Sequence, residues 1–154
     1  MPGSDATKKV DRMRKIKVGK VDHICEIVDD IEVAIQRIRQ IFETPPIKVE
    51  ECSSTARQNG KEIGKYRLKM AMVKIADNLV LELLQIVEGR SVVQDWLNKH
   101  GQTVHHIAVK EKDMKKVASE WETRGIRILQ EDGGKWIYMD TEAILGMNIE
   151  LVPA

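Results

Sequence analysis

Apolar positions along this chain follow two periods, and the order in which those periods succeed one another occurs twice. Residues 21–28, Val-Asp-His-Ile-Cys-Glu-Ile-Val, alternate enough to form a strand. Asp29-Asp30 then offers a helix cap, and Ile31, Ala34, Ile35, Ile38, Ile41 and Phe42 recur at helical spacing. The grammar returns in Val104-His105-His106-Ile107-Ala108-Val109, followed by Asp113 and by Met114, Val117, Ala118 and Trp121 at helical spacing. His23 precedes Asp30 by seven residues and His106 precedes Asp113 by seven, so the copies align without a gap. Each copy ends on an apolar run with one acid inside it, Leu79-Val80-Leu81-Glu82-Leu83-Leu84 in the first and Asn148-Ile149-Glu150-Leu151-Val152 in the second. Between helix and closing run there is room for two more strands, at 47–52 and 66–75 and again at 126–129 and 136–139.

Each half therefore reads as βαβββ. Two such modules predict an α+β fold whose sheets lie side by side and curve into a cup-like mixed sheet. Module 1 spans about residues 17–87 and module 2 about 103–152, within one domain over 16–154. Residues 91–100 between the modules predict a linker helix with Val92, Val93, Trp96 and Leu97 on one face. Residues 1–15, with Lys8, Lys9, Asp11, Arg12, Arg14 and Lys15 among few apolar side chains, read as a flexible, solvated tail.

A chain of 154 residues, 42% of them hydrophobic, is long enough to bury a core. Lys and Arg number 25 against 24 Asp and Glu, so the net charge of +1 supplies no field for nucleic acid or an anionic membrane. No apolar run approaches the roughly 20 residues that span a bilayer. Cys25 and Cys52 are isolated from each other and form neither a zinc knuckle nor a redox pair, which fits a reduced, cytoplasmic protein. The charge is mixed, and partners cannot be read from it.

The acids in the closing runs are the anomaly. Glu82 and Glu150 are flanked on both sides by Leu, Ile and Val, and burying either unpaired would cost several kcal/mol. A lone strand histidine is most often a core or rim residue, and a lone strand glutamate often faces solvent. Matched in register across two halves, however, His23, Glu82, His106 and Glu150 can converge about a pseudo-twofold axis. Two imidazoles and two carboxylates suit a divalent cobalt, nickel, manganese, zinc or iron ion, and octahedral coordination would leave two adjacent positions open for a substrate. The common spacing selects His106 over His105, which strand alternation would turn to the opposite face.

Asp22-His23-Ile24, Leu81-Glu82-Leu83, His105-His106-Ile107-Ala108 and Ile149-Glu150-Leu151, set in repeated βαβββ modules, resemble the vicinal oxygen chelate (glyoxalase/bleomycin resistance/dioxygenase) superfamily. Leu81 to Leu84, the run Trp96-Leu97-Asn98-Lys99-His100-Gly101 and His105 to Ala108 are most similar to methylmalonyl-CoA epimerases. The resemblance implies a divalent metal bound by His23, Glu82, His106 and Glu150, and an isomerase or epimerase that abstracts a proton alpha to a metal-chelated carbonyl. It further implies a CoA thioester substrate, Glu150 as base with Glu82 as its partner across the site, and a homodimer. A lactoylglutathione lyase commonly uses the same ligand set. An extradiol-type dioxygenase holds iron with two histidines and one carboxylate, so Glu82 counts against it. A metal-free binding module would lack the ligands this chain retains. The chain departs from the epimerase pattern over Asp132-Gly133-Gly134-Lys135-Trp136-Ile137-Tyr138-Met139-Asp140-Thr141, where a glycine-rich stretch followed by a His-Pro-Lys turn is usual. The strand at 66–75 carries no acid, and Leu68, Met70 and Met72 are its expected inward face, with Tyr66, Arg67 and Lys69 reading as solvated.

Overall fold

A computed structural model describes residues 15–154. The expected tail lies outside the described residues except for its last position, Lys15. Strand β1 (Val21–Ile27) runs into helix α1 (Ile31–Ile41), where the Asp30 carboxylate accepts from the amides of Glu32 and Val33 at 3.0 and 3.2 Å. Those contacts satisfy two of the amides that a helix start leaves unpaired. Three strands follow, β2 (Glu50–Gln58), β3 (Lys61–Ala76) and β4 (Leu79–Gly89), and then α2 (Val92–His100), capped by Ser91. The second half repeats the order with β5 (Thr103–Glu111), α3 (Met114–Glu122) behind the Asp113 cap, β6 (Ile128–Asp132), β7 (Trp136–Met139), a short α4 (Glu142–Leu145) and β8 (Asn148–Pro153).

The eight strands form one mixed sheet in the order β1-β4-β3-β2-β6-β7-β8-β5. Within each half the first strand pairs parallel to the last, β1 with β4 and β5 with β8. The halves join where β1 and β5 run antiparallel. The expected curvature goes as far as closure, because β2 meets β6 through the pair Arg57 and Glu131 and completes a barrel. Outside the barrel, α1 covers β3 and β4 through Ile31, Ile35, Ala71, Val73 and Leu83, and α3 covers β7 and β8 through Met114, Ala118, Trp121, Met139 and Leu151. A third cluster joins Cys25, Ile27, Tyr66, Leu68, Leu84 and Tyr138 to Val93 and Trp96 of the linker helix. Burying each such large apolar side chain contributes roughly 1.5–3 kcal/mol.

The first hairpin departs most from the sequence expectation. Strand β2 runs to Gln58 rather than ending near 52, and β3 begins at Lys61 rather than near 66. Asn59 and Gly60 between them both have positive φ, 51° and 78°, the type I′ geometry that matches the twist of a two-stranded ribbon. The apolar pattern misses this because β2 reads Glu-Glu-Cys-Ser-Ser-Thr-Ala-Arg-Gln, with almost no hydrophobic alternation. Helix α4 was not expected either; it is a single turn closed by Gly146 at φ 75°. Among the described residues no helix is long and apolar enough to cross a membrane.

Candidate metal centre

His23 lies on β1, Glu82 on β4, His106 on β5 and Glu150 on β8, the four strands that run side by side where the halves meet. Their register is duplicated. Cys25, two residues after His23, sits between Glu82 and His106, while Ala108, two residues after His106, sits between His23 and Glu150. Residues two apart share a strand face, so this pairing turns all four side chains into the barrel. All four are buried, with exposures of 5, 7, 0 and 6% for His23, Glu82, His106 and Glu150.

One ligand atom from each residue falls within 4.8 Å of the other three. His106 Nε2 lies 2.7 Å from Glu150 Oε2 and 3.6 Å from Glu82 Oε1, and His23 Nε2 lies 3.3 and 3.6 Å from the same two oxygens. Despite these short separations His23 Nε2, His106 Nε2 and Glu150 Oε2 have no hydrogen-bond partner among the described residues. Buried polar atoms left unpaired are costly, and a cation at their meeting point would satisfy all of them. Two nitrogen and two oxygen donors on opposite sides of one small space fit a divalent transition ion.

Burial pulls the His23 imidazole down, but Glu150 and Glu82 outweigh it and raise the group to about 11. Burial likewise pushes the Glu150 carboxyl up, and its interactions with His106 and His23 overcome that and hold it at about 2. Tyr138, paired with Glu150 across β7 and β8, has its ring centroid 5.0 Å from that of His106; burial and the two carboxylates keep its hydroxyl protonated well above the usual range.

The expectation that His105 turns away from His106 does not hold. The β1–β5 ladder slips between Cys25/His106 and Glu26/Val104, leaving His105 as an extra residue, a β-bulge that breaks strict alternation. Both rings are buried, and their Nδ1 atoms lie 2.7 Å apart. Tyr66 is not solvated either; it is 6% exposed and its hydroxyl accepts from Gln130 Nε2 at 3.4 Å. Arg67 stays at the surface against Glu51 and Glu88. Met72 pairs in register with Glu82 and is 44% exposed, which places an adaptable apolar side chain directly beside that carboxylate. A cleft of about 560 Å³ along β2 and β3, with Arg57, Lys65 and Lys135 in its lining, includes none of the four ligands.

Sequence reasoning missed Asp22, Gln130 and Asn148. Asp22 Oδ2 lies 2.8 Å from His23 Nδ1. Fully buried Gln130 accepts from the Val92 amide and Ser91 Oγ, tying β6 to the start of α2. Asn148, which pairs with His106, is buried with an unpartnered Oδ1. For Asp22 a signal existed, since a carboxylate adjoining a ligand histidine is a frequent orienting partner. Gln130 and Asn148 looked like ordinary strand polar residues.

Several solved structures share the whole architecture. A methylmalonyl-CoA epimerase from Mycobacterium tuberculosis superposes with a TM-score of 0.63 at 19% identity, over 94% of this chain and 95% of that one. A Streptomyces coelicolor methylmalonyl-CoA epimerase variant in complex with 2-nitronate-propionyl-CoA gives 0.59 at 23% identity, over 90% and 96%. A methylmalonyl-CoA epimerase in complex with methylmalonyl-CoA and NH4+ gives 0.59 at 23%, with the same coverage. No curated protein matches the sequence. The profile of the Glyoxalase/Bleomycin resistance protein/Dioxygenase superfamily matches residues 22–138, and the chain belongs to that superfamily.

Proposed function

We propose that this protein is a divalent-metal-dependent isomerase or epimerase that moves a proton alpha to the carbonyl of an acyl-CoA thioester of the methylmalonyl-CoA kind. The observation that carries the proposal is the buried set of His23, Glu82, His106 and Glu150, with three donor atoms unpartnered and all four ligand atoms within 4.8 Å. Two carboxylates, one from each half, supply what epimerisation requires, a base for one face of a carbon and an acid for the other. Resemblance to epimerases in the Glu82 to His106 region and the shared architecture of solved epimerases support the substrate class.

His23 and His106 would ligate through Nε2, and Glu82 and Glu150 through the oxygens that face them. A bound divalent ion supplies a Lewis acid that polarises a carbonyl oxygen and lowers the acidity barrier at the adjacent carbon. Glu150 would take the alpha proton on a carboxylate oxygen not engaged as a ligand, and a protonated Glu82 would deliver one to the opposite face. Burial keeps bulk water from competing for the proton.

The test is deuterium wash-in from heavy water into branched acyl-CoA substrates by the metal-loaded protein, run beside a hemithioacetal isomerisation assay. Exchange at the alpha carbon is expected, with loss of at least ~100-fold in Glu150→Gln. Turnover of the hemithioacetal without acyl-CoA exchange would instead assign a lactoylglutathione lyase.

A further inference from the structure

The β1–β5 ladder slips twice, and each slip leaves over the residue just before a ligand histidine. Val21 pairs with Val109 and His23 with Ala108, so Asp22 is extra on β1; Cys25 pairs with His106 and Glu26 with Val104, so His105 is extra on β5. Released from the regular pleat, each extra residue brings its side chain to the Nδ1 of the next imidazole. Asp22 Oδ2 stands 2.8 Å from His23 Nδ1, and His105 Nδ1 stands 2.7 Å from His106 Nδ1. The opposite nitrogens, Nε2 of both ligand rings, are the ones left without hydrogen-bond partners and facing the carboxylates.

This geometry dictates tautomers. An imidazole that ligates through Nε2 carries its proton on Nδ1, and that proton needs an acceptor. For His23 the acceptor is a carboxylate. For His106 it is the Nδ1 lone pair of His105, which requires His105 to be neutral with its own proton on Nε2. The His105 ring is fixed for this purpose: it is 1% exposed and lies edge-to-face with Trp96 and Tyr138, centroids 5.2 and 5.1 Å away. Asp22 is half-exposed and shared with Lys110 Nζ at 3.4 Å.

We propose that Asp22 and His105 are paired positioning residues, one per half, that lock His23 and His106 in the Nε2-ligating tautomer. The duplicated scaffold solves the same problem with unlike acceptors, an anion in the first half and a neutral imidazole in the second. A carboxylate acceptor makes the stronger, charge-assisted bond and the more electron-rich ligand, so the two histidines are unequal donors. The proposal rests on the metal reading of the four-residue site, and the experiment separates the two.

Cobalt(II) is titrated into metal-stripped wild-type protein and into Asp22→Ala, Asp22→Asn, His105→Phe and His105→Asn, with affinity read by chelator competition and coordination by the visible cobalt spectrum. Asp22→Ala and His105→Phe are expected to bind about 10- to 100-fold more weakly with an altered spectrum. The asparagine variants keep an oxygen acceptor near the lost atom and are expected to recover most of that affinity. Circular dichroism and melting of the metal-free variants report folding separately, so a misfolded phenylalanine variant leaves the His105→Asn comparison with wild type intact. Wild-type affinity in His105→Phe and Asp22→Ala overturns the proposal, and so does a loss in folded asparagine variants as large as in the variants without an acceptor. Failure of the wild-type protein to bind cobalt overturns the metal reading itself, and the positioning proposal with it.

Discussion

Raising the pH should loosen the metal-free protein and tighten its hold on a divalent ion, because both effects draw on one proton. His23 is held at about 11 against an ordinary 6.5. A group whose folded pKa is raised contributes stability that is complete below its unfolded value and lost as pH rises toward the folded one. From about pH 6.5 upward toward about 11 each unit therefore removes on the order of 1 kcal/mol. Glu150 acts in the other direction: held at about 2 against 4.5, its contribution is present above 4.5 and lost as pH falls toward 2. Cys25, held by burial and by Glu82 well above its ordinary 9.0, pulls the same way as His23 once the unfolded thiol ionises. The interval that isolates His23 is thus about pH 7 to 8.5.

Metal binding must displace the His23 proton, so over the same interval the apparent affinity should rise by up to about tenfold per pH unit. Urea unfolding of metal-stripped protein at several pH values in that interval reads the first effect. Calorimetric titration of manganese or cobalt in buffers of differing ionisation enthalpy counts the released proton. His23→Asn, which cannot hold the proton, should flatten the stability slope. A metal-free protein that becomes more stable across the interval, or an ion that binds without releasing a proton, would refute the reasoning.

Elemental analysis of purified protein should find a divalent metal that Glu82→Ala and His106→Ala lose, since each removes one of the four donors that the proposed site brings together; equal metal content in all three would remove these residues from the site. Gly89→Ala should cost on the order of 1–3 kcal/mol by denaturant melting, because Gly89 sits at φ 87° with an added Cβ only 2.1 Å from the Lys65 carbonyl oxygen. An unchanged midpoint would mean that the β3–β4 junction yields without strain.

What the sequence made legible was whatever the duplication wrote twice. The interval from His23 to Asp30, repeated from His106 to Asp113, located both first strands, both helix caps and the histidine of the pair that clusters with Glu82 and Glu150. The apolar runs around Glu82 and Glu150 located the last strands and marked both acids as buried. Features present in only one half escaped. The β2–β3 hairpin is set by the turn geometry of Asn59-Gly60, while its polar strand hides from a hydrophobic template. Barrel closure rests on the pairing of Arg57 with Glu131, residues that no local pattern connects.

The failure at His105 carries more information than those omissions. Alternation correctly places residues two apart on one face, which is how Cys25 comes to sit between Glu82 and His106, and Ala108 between His23 and Glu150. Applied to neighbours, the same rule predicts that Asp22 and His105 turn away from the site, and at both positions the strand carries an extra residue instead. A bulge costs ladder hydrogen bonds, and two at corresponding positions of unlike sequence are hard to attribute to local propensity: Asp and His share no strong preference for one. What they share is an acceptor atom within 2.8 Å of the Nδ1 of the next histidine. The duplicated feature is therefore the acceptor as well as the ligand, preserved in geometry although its chemistry differs between the halves.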